Sequence, residues 1–253
     1  GVRFLVHNNT QVLFRFYYSI NILIGTIFAS LHLFELARLR FDCFLLDFRF
    51  MLLTRGMGIS TLYSAHLIIL LISFERLYSA FFPAHFEKSS SKLLSALLSS
   101  IAIIGSYVYC MMELSMNFRL FNEPKIYVAL LSAKIPANNL GFQNVMRMLA
   151  VSNCIGLITL CFDLYVNFIR RQENTSSLAI SYQRSENRRI VLILLPIEFS
   201  YTMMAFFSSF SLFMFGKFVS NPKPLEQQLF LESVTIVVYF PLILTFFIEH
   251  SVK

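Results

Sequence analysis

Residues 58–92 read GISTLYSAHLIILLISFERLYSAFFPAHFEKSSSK. The stretch opens as an apolar run, meets Glu75-Arg76, and passes into a short basic loop that ends at Lys92. A charge at the centre of a bilayer is costly. An ion-capable pair at the end of a helix of hydrocarbon length therefore belongs at a membrane–water boundary. Placing Arg76 at one face of a membrane orders every other apolar run relative to it.

Composition supports this reading. Of 253 residues, 57% are hydrophobic and 14% charged, and the mean hydropathy is +0.65. Soluble domains carry roughly 25% charged residues, which argues against an ordinary globular protein. Phe is abundant at 29, whereas Gly and Pro are few at 8 and 7. That balance suits long helices in lipid. The net charge is +7, which in a soluble protein would suggest nucleic acid. Here the basic residues lie mostly between apolar runs, so membrane lipid headgroups are the expected partner and nucleic acid is not. Cys43, Cys110, Cys154 and Cys161 have no metal-ligand spacing and form no CxxC. The opening GVRFLVHNNT is too polar for a cleavable signal peptide.

A bilayer core of ~30 Å needs about 20 helical residues. Runs of that length cover Val12–Leu36, Phe50–Phe74, Leu93–Ser115, Val145–Ile169, Ile190–Phe215 and Leu229–Ile248. They are continuous rather than alternating, which selects helices over barrel strands. Pro196 and Pro241 fall inside the last two, where membrane helices tolerate them. The links Ala37–Arg49, Glu75–Lys92, Met116–Asn144, Arg170–Arg189 and Gly216–Gln228 are too short to be folded domains. The expected fold is an all-α membrane bundle, one domain over 1–253. Basic residues divide almost evenly between the two faces. The dense Arg170–Arg189 cluster turns its own side, with Arg76, toward the cytoplasm. The triplets at Asn8 and Asn174 then lie on that side and stay unglycosylated.

Polar residues inside the runs point to a polar interior. Arg55, Tyr63, His66 and Ser73 fall near one helical face, with Ser60 at its edge. Ser152, Gly156, Thr159, Asp163 and Asn167 line up on another helix. Small residues of this kind also simply let helices approach and hydrogen-bond. Asp163, Glu198 and His66 are ionisable groups at depth, and such groups are functional candidates as readily as structural ones. Enzyme chemistry has little support. The histidines form no HExxH, and GxSxG and P-loop patterns are absent from the sequence. No catalytic residue, metal site or cofactor is expected.

Four motifs carry a family resemblance. Phe74-Glu75-Arg76 leads to Ala80-Phe81-Phe82 and then Phe86-Glu87-Lys88. Ser181-Tyr182-Gln183 precedes Glu186-Asn187, Arg189 and Leu195-Pro196. His7-Asn8-Asn9 stands before an apolar run, and Asp42-Cys43 with Leu45-Leu46 stands before the next. In this order the chain resembles the nematode serpentine chemoreceptors of the Sra superfamily, over nearly its whole length. Phe86 stands where the family typically has Tyr.

The resemblance implies a seven-transmembrane receptor. The six runs would be family helices two to seven, with the first helix preceding residue 1, so a truncated receptor is expected. It also implies a G-protein-coupled chemosensory receptor for a small environmental ligand, signalling through a heterotrimeric G protein from the plasma membrane of sensory cells. Tyr63 and His66, with Ser60 beside them, are then candidate ligand-binding residues. Arg76 is a candidate switch, analogous to the Arg of the Asp-Arg-Tyr motif in better-known receptors, with Glu75 and Glu186 as acidic partners. The link Met116–Asn144 has no Cys, so Cys43 lacks the usual disulfide partner. A transporter or channel lined by Asp163, Glu198 and His66 is the alternative from another class, and a non-signalling truncated product is a third.

Overall fold

The computed structural model describes residues 8–40, 46–88, 92–115, 127–128, 136–170 and 178–218. These are helical apart from Phe82 and one short antiparallel pairing. Helix α1 spans Asn8–Arg40, α2 Phe48–Phe81, α3 Pro83–Lys88, α4 Lys92–Ser115, α5 Pro136–Arg170 and α6 Leu178–Phe218. Strands β1 (Leu46–Asp47) and β2 (Tyr127–Val128) pair Leu46 with Val128 and Asp47 with Tyr127. Among the described residues, five helices are long and apolar enough to cross a membrane: Asn8–Phe34, Gly56–Phe81, Lys92–Glu113, Asn144–Ile169 and Ser181–Phe207. The chain is a multi-pass helical membrane protein. The predicted run Leu229–Ile248, Pro241 within it, Cys43 and Asn174 lie outside the described residues.

Predicted helix bounds are corrected: α1 spans Asn8–Arg40 rather than Val12–Leu36 and α5 begins at Pro136 rather than Val145, and two further corrections bear on the site. Helix α2 does not end at Phe74. It continues through Glu75-Arg76 to Phe81, because nothing before Pro83 breaks it, and the residue preceding a proline is disfavoured in helix. Helix α6 starts at Leu178, not Ile190, so Glu186 and Asn187 lie inside it rather than in a loop. Hydropathy marks where a helix leaves lipid. It does not mark where backbone hydrogen bonding stops, and 178–189 contains no Gly or Pro.

The spans alternate in direction. The start of α1, the end of α2, α3, the end of α5 and the start of α6 therefore share one end of the bundle, called here the Arg76 end. Helix α2 is the hub and packs against α1, α4, α5 and α6. Its Leu62, Ala65, Ile68, Ile69 and Ile72 meet Leu13, Tyr17, Ile20 and Ile24 of α1 and Val191, Leu194 and Ile197 of α6 in one cluster.

In lipid, apolar burial gives helices no reason to associate, since lipid tails are as apolar as leucine. Close packing and interhelical hydrogen bonds do that instead, at ~0.6–2 kcal/mol per bond. Helix α4 shows this inverted pattern. Leu94, Leu97, Ile101, Ile104 and Val108 face outward, while Ser95, Ser99 and Ser106 are buried. Ser106 bonds Ser64 of α2, and Tyr107 bonds Thr61. Pro196 lies within α6 and brings no N–H to the Leu192 carbonyl. One turn later, Ser200 Oγ donates to the Pro196 carbonyl at 2.7 Å.

Candidate functional site

Two buried polar clusters lie at different depths. The first is at the Arg76 end. Although Arg76 comes five residues before the end of α2, its side chain is 0% exposed. Nη2 donates to Thr10 Oγ1 of α1 and lies 3.3 Å from Glu75 Oε2. Thr10 in turn donates to Glu75 Oε1 at 3.1 Å. The ring of Phe86, carried on α3, caps the guanidinium at 5.2 Å from its centroid. Helix α3 is held there by continued turns, Phe82 N–H to the Tyr78 carbonyl and Phe86 N–H to the Phe82 carbonyl, both at 2.9 Å. Tyr78 and His85 add a hydrogen bond at 2.7 Å. Arg76 Nε and Nη1 find no acceptor among the described residues.

Asp163 of α5 completes this cluster and lies within electrostatic reach of Arg76. Asn167 donates to Asp163 Oδ1 at 2.7 Å from one turn along α5. Asn187 of α6 donates to Oδ1 at 3.0 Å and Oδ2 at 3.3 Å. Gln183 of α6 donates to Ser79 of α2 at 3.1 Å. Glu186 interacts electrostatically with Glu75. The end of α2 is thus tied to α1 through Thr10, to α3 through Phe86 and to α6 through Gln183, beside the carboxylate that joins α5 to α6.

The second cluster is near mid-depth. His66 is ten residues before Arg76 on α2, about 15 Å deeper at 1.5 Å per residue. Its ring lies edge-on to Tyr201 of α6, with centroids 4.4 Å apart. Tyr201 and Tyr17 share a hydroxyl hydrogen bond at 3.2 Å. Asn153 of α5 donates to the Tyr201 carbonyl at 3.5 Å, and Thr202 Oγ1, whose proton goes to the Glu198 carbonyl at 2.8 Å, lies 3.4 Å from the Asn153 carbonyl. Glu198, 1% exposed, lays its carboxyl over Gly156 of α5. Only glycine leaves room there, since a Cβ on residue 156 would meet Glu198 Cδ at 3.1 Å and Oε1 closer still.

The structure separates the sequence-predicted ligand residues. Ser60 bonds the Gly56 carbonyl at 2.7 Å, and its own carbonyl accepts from Ser64 and Ser106, which places it at the α2–α4 contact. Tyr63 packs with Tyr109, Cys110, Val145 and Leu149, toward α4 and α5. His66 alone reaches α6. Of the switch residues, Glu75 and Arg76 meet directly, and Glu186 lies near Glu75. Asp163 and Glu198 are both buried, but in different clusters.

Sequence reasoning missed Thr10, Phe86, Asn153, Asn187 and Tyr201 as site residues. Phe86 and Asn187 sat inside quoted motifs, and their context was the available signal. Thr10, Asn153 and Tyr201 carried none. The chain matches no known family model and no curated protein.

One prediction follows from the Gly156 contact. Gly156→Ala forces the Glu198 carboxyl aside, and overpacking of this kind costs ~1–3 kcal/mol. In a Glu198→Ala background the same change should instead stabilise by about 1 kcal/mol, the helix preference of Ala over Gly. Unfolding of the four proteins in detergent micelles measures the cycle, and additive effects would show that residues 156 and 198 do not meet.

Proposed function

We propose that this chain is a G-protein-coupled chemosensory receptor of the Sra-superfamily kind, with its Arg76 end toward the cytoplasm of a sensory cell. On this reading the described spans are family helices two to six, and residues 229–248 supply the seventh. The observation that carries it is the burial of Arg76 among Thr10, Glu75 and Phe86. A plain interfacial anchor would extend its guanidinium to water. A cation held inside, where the ends of several helices meet, suits an element with two packings. Ligand would bias the equilibrium between them, and a G protein would read it.

The Arg76 cluster would be the coupling face and the mid-depth cluster the ligand end, with His66 the retained candidate and Tyr63 beside it. A transporter or channel is the second reading, and the mid-depth polar residues His66, Asn153 and Glu198 favour it. Cells expressing the chain, exposed to a panel of small odorants and water-soluble metabolites, separate the two. The receptor reading expects compound-dependent G-protein activation without ion current or solute uptake. Compound-dependent flux without G-protein activation would overturn it.

A further inference from the structure

Among the described residues, no donor explains the buried Glu198 carboxyl. It is 1% exposed, and neither carboxyl oxygen has a hydrogen-bond donor among the described residues. It is the eighteenth residue of the Ser181–Phe207 span, well inside the helix. A carboxyl in such a place is expensive unless something donates to it. Packing alone would be served as well by an apolar residue of similar size. Gly156 instead makes room for the carboxyl group.

The neighbouring polar atoms have the same deficit. Asn153 Oδ1, less than one turn from Gly156 on α5, accepts no hydrogen bond among the described residues. His66, whose ring meets Tyr201 edge-on less than one turn from Glu198 on α6, lies within side-chain hydrogen-bond reach of Asn153, and its Nδ1 makes no bond among the described residues. The local donors are already directed elsewhere. Asn153 Nδ2 goes to the Tyr201 carbonyl and Thr202 Oγ1 to the Glu198 carbonyl at 2.8 Å. Among the described residues, this layer therefore holds a single acidic group, Glu198, and nothing donates to it.

We propose that Glu198 anchors a site for a small organic amine at mid-depth between α5 and α6, with Asn153 and His66 as flanking polar groups. An ammonium brings three N–H donors and no acceptor, which complements this layer. Its positive charge meets the carboxylate in a region of low dielectric, where charge-assisted hydrogen bonds are strongest. Buried apolar residues flank the two positions along their own helices: Ile197 is adjacent to Glu198 on α6, and Leu160 is about one turn from Gly156 on α5. The proposal names a ligand class for the receptor reading and rests on it for biological meaning. Its test uses no G protein, so either can fail without the other.

The experiment is thermal unfolding of the purified full chain in lipid nanodiscs, titrated with n-alkylamines and, as neutral controls of matched length, n-alkanols. The parent should show a saturable rise in unfolding temperature with amine and none with alcohol. Glu198→Gln, nearly isosteric, should bind amine at least about tenfold more weakly, as expected when a charged hydrogen bond is lost. Should that variant not fold, Glu198→Asp retains the charge but withdraws it by one methylene, and its saturation midpoint should move several-fold. No saturable amine effect in the parent overturns the proposal. So does an equal effect of amine and alcohol, or a midpoint unchanged in the variants.

Discussion

Replacing Asp163 with alanine is expected to destabilise the bundle by about 3–5 kcal/mol, the usual cost of removing one partner from a buried charged network. The carboxylate accepts from Asn167 at 2.7 Å and from Asn187 at 3.0 and 3.3 Å. Without it, both amides lose an acceptor inside the protein, and the buried Arg76 loses a nearby negative charge. Asp163→Asn should cost less, because it keeps a carbonyl for the amides while losing the charge. The measurement is reversible unfolding of the purified protein in mixed micelles. Asp163→Ala combined with Asn187→Ala should cost less than the sum of the two, since contacting residues are not additive. Additive losses would show that the α5–α6 tie is not made through this pair.

Arg76→Ala and Arg76→Lys should part company with each other as well as with the parent. Alanine leaves Glu75 and Asp163 without their cation, so surface expression should fall. Lysine keeps the charge and should reach the surface, but it lacks the planar fork that lies against Phe86 while reaching Thr10 and Glu75. A switch should therefore lose most ligand-stimulated G-protein activation in Arg76→Lys, at least about tenfold if one charge-assisted bond of ~1.4 kcal/mol is lost. Surface labelling beside the signalling assay separates folding from coupling. If both variants reach the surface and signal like the parent, Arg76 is an anchor and the switch reading is wrong.

Much of the bundle was legible because lipid leaves a chain few choices. A run of about 20 apolar residues must be a helix to satisfy its backbone, and the centres of five runs can be placed from composition alone. Helix ends were harder. Glu75-Arg76 and 178–189 look like boundaries to hydropathy, yet both continue as helix because their side chains find partners or water without a backbone break. The stripe from Ser152 to Asn167 was readable from helical spacing, and its members Ser152, Thr159, Asp163 and Asn167 are buried. The partners across helices were not readable. Thr10 and Arg76 are 66 residues apart, and Tyr17 and Tyr201 are 184 apart. Such pairings depend on how each helix is rotated about its axis, which one sequence does not encode locally. Ser60, Tyr63 and His66 illustrate the same limit. Helical spacing put them near one face, yet their small angular differences send them to different neighbours.

Pro196 gives α6 a mechanical property that the other described spans lack. The carbonyl of Leu192 has no N–H to hold it, so the helix is most compliant there. Counted from Pro196, Glu198 lies two residues to one side and Asn187 nine to the other, about 13 Å away at 1.5 Å per residue. A bend of ~20°, where a proline kink counts as sharp, swings a 13 Å arm by about 4–5 Å. The Asn187–Asp163 bond is 3.0 Å long and does not survive such a displacement. The segment from 187 to 196 is thus a lever, with its fulcrum beside the mid-depth carboxyl and its working end on the Arg76 cluster.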